Sequence, residues 1–228
     1  MMTYDSLRLA VRGGTAGSVM SFVLEEIADG RTTIAAVAHP LGFVCLPLRR
    51  EGERGVCVHA WRDDVPQVAP TTSFIHAHSW DLFSYVLYGA IRNNVIEITD
   101  TVTDPTHRVA EIRSTGPIDE IRPTGRLVRS ATVATELTSR SAVYTLDGGI
   151  FHTSVVDGHA ATLAFSSACP GAIDLSLADL DMQPHSVRRR YCDRVETAHI
   201  AREVLTRLRA GGTRGPIRPP EAGGHRRL

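Results

Sequence analysis

Hydrophobic residues follow two different periods along the chain. Near the N-terminus they recur every three or four positions, which places them on one face of a helix between Thr15 and Ala28. These apolar positions are Ala16, Val19, Met20, Val23, Leu24 and Ile27. Thr15 is suited to begin the helix as its N-cap, and Asp29-Gly30 to end it. The pattern predicts a helix that packs against the rest of the protein.

After residue 31 the pattern changes to short runs rich in β-branched and aromatic residues. The predicted strands cover 32–38, 43–48, 55–61, 73–89, 91–99, 107–113, 126–136, 142–146, 150–156 and 160–165. Turn residues separate them, such as Asp104-Pro105, Pro123-Thr124-Gly125 and Asp157-Gly158. Many short strands without intervening helices are typical of an antiparallel sandwich or barrel. We therefore predict a mainly β fold, with one antiparallel barrel and helices only at its two ends.

The same patterns divide the chain into four segments. They are a helical segment over 1–31, a barrel over 32–170, a second helical segment over 171–212 and a disordered tail over 213–228. The β pattern ends after Pro170, and an apolar helical face then predicts a helix over 193–210. The tail is rich in Gly, Pro and Arg, which cannot bury enough apolar surface to order a chain. Within the barrel, 63–70 is predicted as a turn-rich linker.

Composition narrows the class of protein. With 228 residues, 43% hydrophobic and 22% charged, the chain has the make-up of an ordinary globular protein. A formal net charge of zero gives no reason to expect nucleic acid or an anionic membrane as a partner. No apolar run approaches the ~20 residues of a membrane span, and no secretory signal is evident. We expect a cytoplasmic protein with reduced cysteines, and a homodimer stays open.

The candidate chemistry lies in the predicted strand 73–89, which contains His76-Ala77-His78. Side chains alternate between the two faces of a strand, so His76 and His78 point the same way. Two imidazoles one strand pitch apart on one face can bind a single metal ion. Regular alternation also places Ser84 and Tyr88 on this face, which makes both residues candidate catalytic groups that orient a substrate.

The motif resembles the first signature of the cupin β-barrels, in which such a histidine pair is followed by a glycine, here Gly89. Gly149-Ile150-Phe151-His152 is similar to the end of the second cupin signature, where a glycine permits a tight turn before a histidine. The resemblance covers roughly residues 32–170. It implies an antiparallel jelly-roll barrel, also called a double-stranded β-helix, and makes His152 the third metal ligand beside His76 and His78.

One departure from the cupin pattern bears on the ligand set. The superfamily usually has a glutamate four residues after the second histidine, and that position is Leu82. Three neutral imidazoles remain, which is the arrangement of the three-histidine cupins such as cysteine dioxygenase and gentisate-type dioxygenases. A fourth ligand from Asp81, His59 or His107 stays open, although a regular strand turns Asp81 to the opposite face.

The resemblance to cysteine dioxygenase is a loose one. That family has a cross-linked cysteine where Phe83 stands here, and a catalytic tyrosine on a late strand where this chain offers Phe165 and Cys169. The resemblance therefore implies a divalent metal rather than a substrate. Imidazole suits Fe, Zn, Cu and Ni alike, and Mn stays open as well. Fe(II) is favoured because its open positions could bind a substrate and O2 together.

Two classes of function are consistent with these residues. The first is a metal-dependent cupin that acts as a non-haem Fe(II) dioxygenase or oxidoreductase on a small organic molecule. The alternative is a non-enzymatic cupin that binds a metal or a small ligand. A closed site with a fourth protein ligand would favour the alternative, and open coordination positions would favour the enzyme.

Overall fold

A computed structural model describes residues 2–62 and 71–211 of the chain. The predicted linker over 63–70 and the predicted tail over 213–228 lie outside these described residues. The described part contains three helices, which are α1 (Tyr4–Arg12), α2 (Ala16–Ala28) and α3 (Arg194–Ala210). None of the helices in these two ranges is long and apolar enough to cross a membrane.

The helices α2 and α3 are those that the hydrophobic period predicts, and α1 precedes them in a stretch that the sequence left unassigned. Helix α1 begins with a capping box, in which Thr3 and Ser6 satisfy each other's backbone N–H groups. Asp193 and Glu196 form the same motif at the start of α3. Thr15 occupies the N-cap position of α2 as predicted, but its side chain makes no capping hydrogen bond.

Within the described residues, the strands form two antiparallel sheets of seven strands each. In chain order they are β1 (Val37–His39), β2 (Phe43–Glu51), β3 (Arg54–Trp61), β4 (His76–Ala77), β5 (Trp80–Tyr88), β6 (Ala90–Asp100), β7 (His107–Thr115), β8 (Ile118–Ser139), β9 (Val143–Leu146), β10 (His152–Val155), β11 (Ala160–Ala168), β12 (Asp174–Ala178), β13 (His185–Arg188) and β14 (Arg190–Tyr191). The first sheet has the order β14-β1-β2-β3-β11-β5-β9, and the second has the order β13-β8-β6-β10-β4-β12-β7. The predicted fold class is confirmed, because the protein is mainly β, antiparallel and flanked by helices.

Strand β8 closes the second sheet on itself, because it pairs with strands at both ends of the run from β6 to β7. Its first part pairs with β7, and its second part pairs with β6. The sequence predicted a turn at Pro123-Thr124-Gly125, and this prediction was wrong. The strand runs through Pro123, opposite Ala110, where the register of the β7–β8 pair shifts. A proline can sit in a strand at such an irregularity, because no ladder hydrogen bond is required of its nitrogen there.

The first sheet buries its outer face against the helices. Alternate residues of β2, β3 and β11, including Leu46, Val58 and Leu163, form one buried cluster with Met20 of α2 and Val204 of α3. The opposite face of β2 and β3 carries Phe43, Cys45, Cys57, His59 and Trp61. Phe43, His59 and Trp61 of this face line a cavity together with residues of the second sheet. Because side chains alternate along a strand, one set lies in the helix-facing core and the other set faces the second sheet.

The prediction that β structure ends after Pro170 was wrong. Strands β12, β13 and β14 follow that residue, and β12 pairs with both β4 and β7. These strands are short, and β13 has few apolar residues, so their own sequences give little β signal. Their neighbours supply the hydrogen bonds that fix them, which is a tertiary effect. The predicted strand over 32–38 is likewise reduced to Val37–His39.

Candidate metal centre

The structure brings the three predicted histidines together at the edge where β4 meets β10. His152 is the first residue of β10 and is the direct cross-strand partner of His76 in β4. Residues that face each other across an antiparallel pair project to the same side of the sheet. His78 follows β4 two positions after His76 and therefore projects to that side as well.

The three rings are close enough to share one ion. One ring nitrogen from each of His76, His78 and His152 lies within 4.8 Å of the others. The Nε2 atoms of His76 and His78 are 3.2 Å apart, which is near the separation of about 3.3 Å that two nitrogens have on one tetrahedral metal. The centroids of the His76 and His152 rings are 4.2 Å apart. The donor set therefore fits a single divalent metal.

Backbone carbonyls fix two of these rings in the tautomer that metal binding needs. Nδ1 of His76 lies 3.0 Å from the carbonyl oxygen of Phe74, and Nδ1 of His152 lies 3.0 Å from that of Ile150. A carbonyl can only accept, so each Nδ1 carries the proton and donates it. Each Nε2 is then left with a lone pair for a metal, and the carbonyls hold the rings in place. His78 is held instead by stacking on Trp80, with ring centroids 3.9 Å apart.

Burial keeps the three imidazoles neutral. Desolvation, together with the neighbouring His152, lowers the pKa of His76 to about 3. Desolvation and the proximity of His76 and His152 lower the pKa of His78 well below its ordinary value, and burial also lowers the pKa of His152. A metal competes with protons for imidazole, so groups that resist protonation are ready to bind metal at neutral pH.

None of the three open candidates for a fourth ligand lies within the cluster. Asp81 is exposed, and its Oδ1 accepts a hydrogen bond of 2.8 Å from the backbone N–H of Gly148. His107 lies on β7, where its Nδ1 is 2.9 Å from the Thr106 hydroxyl. His59 lines the cavity beside the cluster but belongs to a different group of donor atoms.

A mainly apolar cavity opens onto the histidines, and we call it the histidine cavity. The residues that line it around His76, His78 and His152 are Leu41, Phe43, His59, Trp61, Phe74, Leu82, Tyr144 and Ser154. Its walls come from both sheets, so it lies in the interior of the fold. An apolar pocket with a few polar groups is the usual composition of a small-molecule site.

A second cavity is also lined by His76 and His78. Its polar wall is the ion pair of Asp119 and Arg189, in which the Arg189 Nε lies 2.9 Å from Oδ2 and Nη2 lies 2.7 Å from Oδ1. Burial raises the pKa of Asp119, but hydrogen bonds from Arg189 and Ser114 outweigh it and hold that pKa below its ordinary value. The histidine cluster is thus approached by one apolar cavity and by one with a charged wall.

The two predicted catalytic residues occupy different environments. Tyr88 packs in the helix-facing core and is absent from both cavity walls. Ala161 of β11 pairs with Tyr88 and Thr162 pairs with Val86, so the register skips Leu87. This irregularity breaks the alternation on which the predicted position of Tyr88 depended. Ser84 does face the interior, but it is fully buried opposite Tyr144 and does not line the cavity.

Tyr144 is the cavity residue that sequence reasoning missed. It stands directly opposite Ser84 across β5 and β9, and it lines the histidine cavity. Burial raises the pKa of Tyr144, so the phenol stays protonated and able to donate. The alternation of β9, with Tyr144 and Leu146 on the buried face, is a signal in the sequence that could have identified it.

Comparisons with known proteins give distant similarities of architecture. No protein-family model and no curated protein matches the chain. An RmlC-like cupin from Shewanella frigidimarina is similar at 12% identity and TM-score 0.34, over 59% of this chain and 85% of that one. The hydroxypropylphosphonic acid epoxidase from S. wedmorenis is similar at 14% identity and TM-score 0.33, over 58% of this chain and 55% of that one.

A third solved structure, hydroquinone 1,2-dioxygenase from Sphingomonas sp. TTNP3, is similar at 15% identity and TM-score 0.32, over 54% of this chain and 64% of that one. Scores this low carry no conclusion about activity. The predicted resemblance to the cupins is confirmed in the two-sheet antiparallel architecture and in the cluster of His76, His78 and His152, which can bind a metal.

Proposed function

We propose that the protein is a metal-dependent cupin, that its metal is Fe(II), and that it acts as a dioxygenase or related oxidoreductase on a small organic molecule. The observation that supports this proposal is the ligand set. Three neutral imidazoles converge, and no carboxylate belongs to the cluster within residues 2–62 and 71–211. Such a set leaves a divalent metal its full charge and several open positions.

The side chains around the cluster have separate tasks in this proposal. When bound, iron would supply redox chemistry with O2 and open coordination positions. Phe43, Trp61 and Leu82 form an apolar wall that excludes water and contacts the apolar part of a substrate. The Tyr144 hydroxyl is a donor that can hold a polar group of the substrate in a fixed orientation. We therefore propose a small substrate with an apolar body and at least one polar group.

Burial of the cluster favours a second candidate, a non-enzymatic cupin that holds a metal or a small ligand. His76 and His152 are 9% and 2% exposed, so much of the ligand set is shielded from solvent. A shielded, fully coordinated metal would stabilise the barrel without meeting a substrate. The open coordination positions of the first proposal are what distinguish the two functions.

A cytoplasmic location is part of the same proposal. All four cysteines are free thiols, which is the usual state of cysteines in a reducing compartment. Fe(II) is also more readily kept reduced there than in an oxidising environment.

The test begins with protein purified without a histidine tag and loaded anaerobically with Fe(II). We expect about one iron per chain by elemental analysis, which should fall to background in His76→Ala. The exposed His185 provides the matched control, and His185→Ala should keep its iron. Nitric oxide, a probe of open iron positions, should then give the electron paramagnetic resonance signal of an iron–nitrosyl centre in the wild type.

Activity is measured as O2 consumption with a panel of small aromatic and aliphatic molecules that carry one polar group. Substrate-dependent O2 uptake that is lost in His76→Ala and kept in His185→Ala would support the dioxygenase. Full iron occupancy without a nitrosyl signal would instead favour the non-enzymatic cupin. Absence of iron, with one equivalent of another metal retained through purification, would contradict the proposed metal.

A further inference from the structure

A second group of metal-binding side chains lies on the hairpin formed by β2 and β3. Cys45 of β2 is the direct cross-strand partner of His59 of β3, and Cys57 precedes His59 by two residues on the same strand. Cross-strand partners share a face, and so do residues two apart on a strand. Two thiols and one imidazole therefore project together from the interior face of the first sheet.

The distances between their donor atoms suit one metal ion. The sulfur atoms of Cys45 and Cys57 and a ring nitrogen of His59 all lie within 4.8 Å of one another. Two sulfurs on one tetrahedral zinc are separated by about 3.8 Å, given Zn–S bonds of about 2.3 Å. Shifts of less than about 1 Å, which side-chain rotation supplies, would bring the donors to coordination distance. All three residues are partly exposed, so an ion has access to them.

The chemistry of the group is that of a thiolate site. Its donor atoms are the sulfurs of two cysteines and one imidazole nitrogen. A thiolate, rather than a thiol, is the form that binds metal. Sulfur donors are softer than the nitrogen donors of the histidine cluster, so the two groups differ in the metals that they prefer.

His59 links this group to the histidine cavity. Its ring lies against Phe43, with centroids 4.5 Å apart, and Phe43 in turn stacks on His39. This packing holds the His59 ring at the cavity wall, where it faces the space that also contains His78. A metal on Cys45, Cys57 and His59 would have three protein ligands, and one of them, His59, also lines the histidine cavity.

We propose that Cys45, Cys57 and His59 form a second metal site, which binds a thiophilic divalent cation of the zinc type. The site is distinct from the three-histidine centre in its residues, its strands and its donor atoms. It does not depend on the proposed dioxygenase function, because its ligands and its geometry are independent of the metal and the substrate at the histidine centre.

The test uses Co2+ as a spectroscopic substitute for Zn2+ in the full chain. The double substitution His76→Ala/His152→Ala removes the histidine centre, and the reduced protein is titrated anaerobically with Co2+. We expect one equivalent to bind, with thiolate-to-cobalt charge-transfer absorption and the visible bands of a tetrahedral centre, and Zn2+ should displace it. Adding Cys45→Ser/Cys57→Ser to this background should abolish the absorption.

The other two cysteines supply the matched control, and Cys169→Ser/Cys192→Ser in the same background should leave the cobalt spectrum unchanged. A second measurement needs no cysteine substitution. Zn2+ should slow the alkylation of Cys45 and Cys57, read by mass spectrometry, while leaving that of Cys169 unchanged. Equal alkylation with and without Zn2+, or Co2+ binding without charge-transfer absorption, would overturn the proposal. So would a Cys45–Cys57 disulfide that forms in air from a protein that binds no Zn2+ when reduced.

Discussion

His152 lies directly opposite His76 across the antiparallel pair of β10 and β4. The pairing brings an imidazole from a late part of the chain beside the two that His76-Ala77-His78 provides locally. A metal bound by all three would therefore join β4 to β10, next to the strand β6 that also pairs with β10. The integrity of the site depends on this register as well as on the residue types.

Replacing His152 tests this relationship. His152→Ala removes one of three ligands, and two imidazoles rarely hold a divalent ion against water, so the metal content should fall from about one per chain to near zero. The metal-free variant should still fold, at a cost of about 1–2 kcal/mol for a buried side chain. Elemental analysis and circular dichroism check both outcomes. Full metal occupancy in the variant would disprove the three-histidine assignment, and the exposed His185→Ala is the control.

Asp81 provides a test of the ligand count. Its carboxylate is exposed and holds the Gly148 turn through a hydrogen bond to the Gly148 N–H. Asp81→Asn keeps an oxygen that can accept that bond, so both the fold and the metal content should be unchanged. Asp81→Ala should lower stability by about 1 kcal/mol without loss of metal. Metal loss in Asp81→Asn, measured on the folded protein, would instead make Asp81 a fourth ligand.

Gly89 is required for steric reasons. Its φ is +74°, and a Cβ at this position would lie 2.4 Å from the carbonyl oxygen of His159 and 2.8 Å from the Cα of Ala160. Backbone atoms cannot yield as a flexible side chain can, so Gly89→Ala should lower the free energy of unfolding by about 3 kcal/mol or more. Chemical denaturation of the metal-free protein measures this change.

Gly158 is a control for Gly89 because it has the same backbone conformation without the clash. Its φ is +81°, and a Cβ there would meet nothing within 4 Å. Gly158→Ala should therefore cost only the strain of the left-handed conformation, about 1 kcal/mol. If the two variants lose the same stability, the close contact of position 89 with His159 and Ala160 is not the reason for the glycine.

The buried histidines should make the metal-free protein sensitive to mild acid. The pKa of His76 is about 3 in the folded protein and about 6.5 in the unfolded chain, so the unfolded state takes up the proton first as the pH falls. The stability that His76 contributes is complete above pH 6.5 and is lost progressively toward pH 3. Between pH 7 and pH 5 the loss should be about 2 kcal/mol from this residue alone.

Urea denaturation of the metal-free protein at pH 7 and pH 5 measures this loss. His76→Gln, which cannot titrate, should reduce the decrease by about 2 kcal/mol relative to the wild type. Carboxylates with lowered pKa values, such as Asp119, change the stability only at more acidic pH. They therefore do not affect the comparison between pH 7 and pH 5. A wild-type protein whose stability is the same at both pH values would contradict the burial of the histidine cluster.

The sequence by itself determined the features that depend on local periodicity. The apolar face of 15–28 predicted α2, and that of 193–210 predicted α3, because neighbours three and four apart on a helix share a face. Strand alternation likewise predicted that His76 and His78 point the same way. The glycine spacing before His152 predicted a third ligand through the resemblance to cupins, and the structure brings that residue to the other two.

Tertiary structure alone decided the features that depend on strand pairing. The register of β11 against β5 turns Tyr88 toward the helices, and the pairing of β5 with β9 sets Tyr144 opposite Ser84 at the cavity wall. Pairing with β4 and β7 also makes a strand of β12, beyond the predicted end of the barrel. A strand's hydrogen bonds are made with another part of the chain, so its register, its bulges and its partners are not fixed by its own residues.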